Sequence, residues 1–147
     1  MPAVRGCHLP EDRLYDVANH IWLQEMADGN IKIGMTTVAT AMAGKLVAFT
    51  PKKAGRSVEP GKTCATVESG KWVGPAKSAV GGEVAEVNTV LVEKPSIANE
   101  DPYEAGWMVI LKPRDWAAVK PTLTPGAQVA PEYEAKMAAD GFAGCAP

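Results

Sequence analysis

The stretch from Thr63 to Val87 most constrains this chain. An apolar, β-branched run enters it from Thr63, and Gly70 breaks that run. A glycine there offers positive φ at little steric cost. Lys71 then falls at the expected tip of a hairpin, with Gly74 and Pro75 closing the turn and Val80 to Val87 returning as the second strand. The pattern puts one long, flexible amine at an exposed corner of a sheet, which suits enzymatic acylation. Lysines also sit at hairpin tips for solubility and edge protection alone, so the flanking chain must decide.

With 147 residues one domain (1–147) is expected, large enough to bury a core. Hydrophobic residues at 46% and charged residues at 22% suit a globular protein. The count of 14 Gly and 12 Pro favours short strands joined by tight turns over a helical bundle. A net charge of -2 argues against a nucleic-acid or membrane-surface binder. No apolar run approaches the roughly 20 residues that span a bilayer. Met1 to Pro10 lacks the marks of a secretion signal, so the cytoplasm is the expected compartment.

Cys7, Cys64 and Cys145 are odd in number and scattered, fitting neither a disulfide framework nor a metal knuckle. Cys64 reads as a small buried packing residue within Thr63–Val67. The favoured reading of Cys7 and Cys145 is two incidental thiols in frayed ends. The alternative is a pair that meets in space and serves redox chemistry. Residues 1–13 and 141–147 are expected to be flexible tails.

Along the chain, Leu14 to Leu23 begins the core, and Asp28-Gly29 signals a tight turn before the alternating Ile31-Lys32-Ile33. Met35, Val38 and Met42 recur at helical spacing and read as core packing, with Thr36 or Thr37 as cap and Gly44 as stop. Leu46 to Phe49 reads as a buried strand. Lys52-Lys53-Ala54-Gly55-Arg56 is a basic loop, a solvated face or a docking site for an acidic partner. Glu83 to Val87 alternates as a half-buried strand. Val90 to Asn99 can hold a short helix interrupted by Pro95, and Gly106 to Leu111 is the most apolar strand candidate. Pro121 to Pro131 reads as a linker. Glu132 to Asp140 reads as a helix with Tyr133 and Met137 on one face. The sum is a strand-rich sandwich or barrel with an early short helix and a terminal one.

Several pieces, taken in order, carry a resemblance: His20-Ile21-Trp22-Leu23, Asp28-Gly29, Ile33-Gly34-Met35-Thr36, Glu68-Ser69-Gly70-Lys71, Gly82 to Asn88, Asn99 to Trp107 and Pro131 to Ala135. Together they resemble the glycine-cleavage H-protein family of lipoyl carriers, over Tyr15 to Asp140. The resemblance implies a mainly β lipoyl-domain (barrel-sandwich hybrid) fold and lipoate in amide linkage on Lys71. It implies a carrier rather than an enzyme, with no catalytic set or metal of its own. Glu68, Ser69, Gly70 and Trp72 flank the modified position; Trp72 either shields the dithiolane or simply packs on the hairpin. His20 reads as structural, with a place beside the resting arm as the lesser reading. His8 reads as exposed, and Tyr103 and Trp107 as core. Biotin carriers usually flank their lysine with methionines, which Gly70 and Trp72 do not match.

The departures from that family are basic. Phe49-Thr50-Pro51-Lys52-Lys53 stands where an acidic Glu-Leu-Pro type run is usual, and Lys45 replaces an acid. Glu68 to Pro75 is similar to the lipoate-binding proteins of the heterodisulfide-reductase-like sulfur-oxidation pathway, with which Cys7 and Cys145 are compatible. The favoured expectation is therefore an arm shuttling sulfur units. The expected partners are a lipoate ligase, the heterodisulfide-reductase-like complex and lipoamide-reactive enzymes, with no nucleic acid, no membrane and a monomeric state. The alternatives are a glycine-cleavage carrier of an aminomethyl group and an unmodified adaptor.

Overall fold

The computed structural model describes residues 3–145. A small hairpin of β1 (Ala3–Val4) and β2 (Cys7–His8) precedes β3 (Leu14–Asp16), β4 (Ile21–Glu25) and β5 (Ile31–Met35). Helix α1 (Thr37–Ala43) leads into β6 (Leu46–Pro51), the short β7 (Ser57–Val58), β8 (Lys62–Ser69) and β9 (Val73–Ser78). β10 (Gly82–Val87) is followed by two short helices, α2 (Thr89–Glu93) and α3 (Ile97–Glu100). β11 (Val109–Pro113), α4 (Trp116–Val119), β12 (Thr124–Pro125) and α5 (Val129–Asp140) complete the chain.

Two sheets carry the fold. One has seven strands in the order β12-β3-β4-β5-β11-β10-β7; the other has three, β6-β8-β9. Their apolar faces meet over a core that includes Leu23, Ile33, Leu46, Phe49, Val67, Val84 and Leu111. The pleat explains which residues enter it. Ile31 and Ile33 point inward, while Lys32 between them points out and lies over the Trp107 ring at 5.6 Å. A second cluster sits under α5, where Tyr133 and Met137 pack with Val4, Cys7, Leu9, Tyr15, Trp22 and Val38. Trp22 pairs opposite Gly34, and its ring lies where any side chain on residue 34 would project. The indole N–H donates to the Pro102 carbonyl at 3.0 Å, and the Arg13 guanidinium covers the ring at 5.0 Å.

Several expectations need correction. The strand returning from the Lys71 turn is β9, not Val80–Val87; β10 belongs to the larger sheet and pairs with β11 and β7. Gly74 and Pro75 lie within β9 rather than in the turn, and Pro75 is tolerated because β9 is an edge strand. Gly70 does not use positive φ. The Pro121–Pro131 stretch is built into the fold: β12 pairs with β3, and Leu123 and Val129 are buried. In β6 only alternate residues are buried, and Val47 is 57% exposed.

The ends also differ from the flexible tails expected. Within 3–13, Val4, Cys7 and Leu9 are buried; within 141–145, Phe142 packs on the second cluster. Cys7 and Cys145 form a disulfide across a separation of 138 residues, so they are a pair rather than incidental thiols. Sequence separation hid the pairing because α5 returns the chain to the β1–β2 hairpin, where the Cys145 N–H donates to the Arg5 carbonyl at 3.0 Å. Residues 1, 2, 146 and 147 of the expected tails lie outside the described residues.

Candidate functional site

The site is built on the β8–β9 turn. The Ser69 N–H donates to the Trp72 carbonyl at 2.7 Å, closing the turn around Gly70 and Lys71. Ser69 is buried, and its Oγ accepts the Lys71 N–H at 3.3 Å. Glu68, exposed on β8, is paired between Ala48 of β6 and Val73 of β9. Gly70 and Lys71 are exposed. The four flanking residues therefore divide by role: Ser69 fixes the turn from inside, while Glu68, Gly70 and Trp72 face outward around the amine.

Trp72 is 42% exposed. Its ring lies back over Gly74, in the space a side chain there would fill. The indole is thus held against the hairpin while one edge faces a groove. That groove, about 400 Å³, runs from Lys71 and Trp72 along Met42, Ala43 and Ala39 of α1 to His20 and Met35. Its walls are mostly apolar, and Met42, expected in the core, is 36% exposed at its rim.

Helix α1 positions the far wall. Of the two threonines expected as cap, Thr36 fills the role, its hydroxyl accepting the Ala39 N–H at 3.2 Å. Gly44 ends it at φ 82 and ψ -172, a region open essentially to glycine. The Lys71 side chain rests against that glycine: a Cβ on residue 44 would stand 3.3 Å from the Lys71 Cε. Asn99 holds the corner. Its side-chain amide donates to the Gly44 carbonyl at 2.8 Å, and its carbonyl oxygen accepts the Leu46 N–H at 2.9 Å. Sequence reasoning did not single out Asn99. The available signal was an amide-bearing residue inside an Asn-Glu-Asp-Pro run, the kind that satisfies a helix end.

At the groove's other end, His20 adopts a left-handed conformation with φ 57 and stacks on Tyr133. Its Nδ1 lies 3.2 Å from the Tyr133 hydroxyl. Burial, aided by Lys136, lowers the His20 pKa below the ordinary imidazole value, against smaller opposing effects of Asp140 and Asp16. The groove thus ends in an uncharged imidazole at neutral pH. Burial pushes the Cys64 thiol up to about 12, consistent with a packing role. The disulfide lies off this site: the Cys145 Sγ is 3.7 Å from the Thr37 carbonyl oxygen at the start of α1, whereas Lys71 meets the helix at its end. Tyr103 is buried as expected, Trp107 is half-buried, and His8 is half-buried rather than exposed. Among the described residues no cluster of three His, Cys, Asp or Glu could hold a metal, and no helix is long and apolar enough to cross a membrane.

The profile of the glycine cleavage H-protein family matches residues 13–136. The chain belongs to this family. It is 50% identical over 127 residues to glycine cleavage system H protein 5 of Aquifex aeolicus, covering 84% of this chain and 85% of that one. It is 40% identical over 131 residues to the probable glycine cleavage system H protein 2 of Sulfurisphaera tokodaii, covering 88% of each. The crystal structure of the glycine cleavage system H protein of Mycobacterium marinum superposes with a TM-score of 0.72 at 33% identity, covering 90% of this chain and 98% of that one. Glycine cleavage H-proteins carry lipoate covalently on a lysine and are carriers rather than catalysts. The mainly β H-protein lipoyl fold with its C-terminal helix is the fold of this chain.

Proposed function

We propose that Lys71 is the lipoylated lysine of this H-protein and that the chain is the aminomethyl carrier of a cytoplasmic glycine-cleavage system. The observation that carries the reading is the position of Lys71, exposed on a hydrogen-bonded turn at the mouth of an apolar groove. The relatives, named as glycine cleavage system H proteins, favour this cargo over a sulfur unit.

The residues present fit a lipoyl arm. Acylation of Lys71 removes its charge and leaves a neutral amide, so the chain beyond it can lie against Ala39, Met42 and Ala43 without burying an ammonium. Gly44 leaves room for the lysine stem, and Trp72 walls one side. When bound, lipoate supplies two sulfurs that cycle between disulfide and dithiol and can hold a transferable group. The protein tethers that group, so each partner meets it at high effective concentration. His20, held neutral by burial, offers a polar end to the groove without a competing charge.

A second reading keeps the arm and changes the cargo to a sulfur unit. Two observations favour it: Lys45, Lys52 and Lys53 stand exposed and basic near the Lys71 sheet, and the relatives include three differently numbered H proteins of one organism. Reconstitution separates the two. Lipoylated protein mixed with glycine decarboxylase and aminomethyltransferase should support glycine-dependent release of carbon dioxide and aminomethyl transfer. No turnover with those enzymes, together with turnover by a heterodisulfide-reductase-like complex, sinks the first reading in favour of the second.

A further inference from the structure

Charge is unevenly divided along this chain. Between residues 45 and 77 lie seven of the fifteen lysines and arginines but only two of the seventeen acids, a net of +5; the remaining residues carry -7. The positive segment is β6, β7, β8 and most of β9, so it contains the three-stranded sheet that presents Lys71. Among the described residues, Lys45, Lys52, Lys53, Arg56, Lys62 and Lys77 form no ion pair, whereas Lys94, Arg114, Lys120 and Lys136 each hold a carboxylate. Of the two acids, Glu59 is held by Arg114.

The register places these cations. Lys62 pairs opposite Ser78 and Thr63 opposite Lys77, which sets Lys62 and Lys77 on neighbouring rungs at the end of the ladder away from the Lys71 turn. The Lys52 N–H donates to the Cys64 carbonyl at 2.9 Å, and the Arg56 N–H donates to the Lys53 carbonyl, so the basic loop folds beside the same end. Lys45 stands at the other end, next to the Gly44 corner. Between them the sheet exposes Val47, Thr50, Thr66, Glu68, Val73 and Pro75.

We propose that this sheet docks on an acidic face of the enzyme that acylates Lys71. The inference rests on the reading of Lys71 as the lipoylated residue. Free cations at both ends of a strip with a single carboxylate match a partner opening lined with carboxylates at its rim. A net of +5 in the segment that carries Lys71, against -7 in the rest of the chain, also favours approach to an acidic partner with the Lys71 turn forward. Acylation removes one of the five net charges and weakens the product's hold on the enzyme. Nucleic acid is the poorer occupant, because the -7 remainder opposes close approach to a polyanion.

The test uses the apo-protein and the lipoate ligase encoded in the same genome, with lipoylation followed by intact mass. Raising sodium chloride from about 20 mM to about 300 mM should lower kcat/KM about tenfold or more while kcat stays nearly constant. The quadruple substitution K52E/K53E/K62E/K77E should produce a similar loss at low salt, and K52Q/K53Q/K62Q/K77Q an intermediate one. These side chains are exposed and unpaired, and unchanged melting curves confirm that each variant is folded. Equal kcat/KM across salt and variants, with Lys71 still lipoylated, overturns the docking face and leaves the carrier reading intact. No lipoylation of the wild-type chain overturns the carrier reading and the docking face together. A wild-type dimer that the substitutions dissolve, or competition by duplex DNA at physiological salt, assigns the face to another occupant and overturns the proposal.

Discussion

Lys71 and Gly44, 27 positions apart in the chain, touch: the lysine Cε lies 3.3 Å from where a Cβ on residue 44 would stand. The helix stop and the lysine proposed to carry lipoate are therefore one piece of structure. Gly44→Ala forces a side chain into a conformation open essentially to glycine and crowds the amine end of the Lys71 side chain. The expected result is a loss of about 1–3 kcal/mol in unfolding free energy together with slower lipoylation. Chemical denaturation and a time course of intact mass read the two effects separately.

The Cys7–Cys145 disulfide closes a loop of 138 residues. By chain entropy a loop of that length contributes roughly 5 kcal/mol, towards the upper end of the usual range. Cys7→Ser with Cys145→Ser should therefore lower stability by about 2–5 kcal/mol and loosen the contact of the Cys145 segment with Arg5. It should leave Lys71 lipoylation unchanged, because the disulfide meets α1 at the end away from Lys71. Denaturation with and without reductant checks the first effect, and hydrogen exchange at Cys145 checks the second. Cys64, whose thiol burial holds near 12, should resist alkylation in the native protein.

His20 gives a pH dependence of definite sign. Its folded pKa lies below the ordinary value, because burial disfavours the imidazolium. As pH falls below about 6.5 the unfolded chain takes up a proton that the folded chain refuses, so stability declines until the folded pKa is passed. Melting temperature should drop between about pH 7.5 and about pH 5.5, and His20→Asn should flatten that part of the profile. Asparagine tolerates the left-handed backbone at this position. An unchanged slope in the variant would assign the acid sensitivity to other groups.

Local chemistry made much of this molecule legible. Thr36 and Gly44 bracket α1 because capping and stopping are decided within a turn of the chain. Ile31-Lys32-Ile33 reads as a strand because the pleat alternates, and Tyr133 with Met137 marks the buried face of α5. Lys71 was legible as a tip residue for the same reason. What stayed hidden is non-local. Val80–Val87 has strand chemistry, but strand pairing is set by sheet topology, so it was matched to the wrong partner. The glycines at 34 and 74 are required by indole rings from Trp22 and Trp72, which no spacing rule reveals. Met42 follows helical periodicity, yet it falls at the last turn of α1, where the core gives way to the groove. The pairing of Cys7 with Cys145 depends on where α5 ends in space.

The most direct measurement is the intact mass of the protein co-expressed with a lipoate ligase, beside Lys71→Arg. The wild-type chain should gain one lipoyl unit, and the variant should gain none while melting at the same temperature. A wild-type chain that stays unmodified, or a variant that still gains the unit on another lysine, would contradict the assignment of the arm to Lys71.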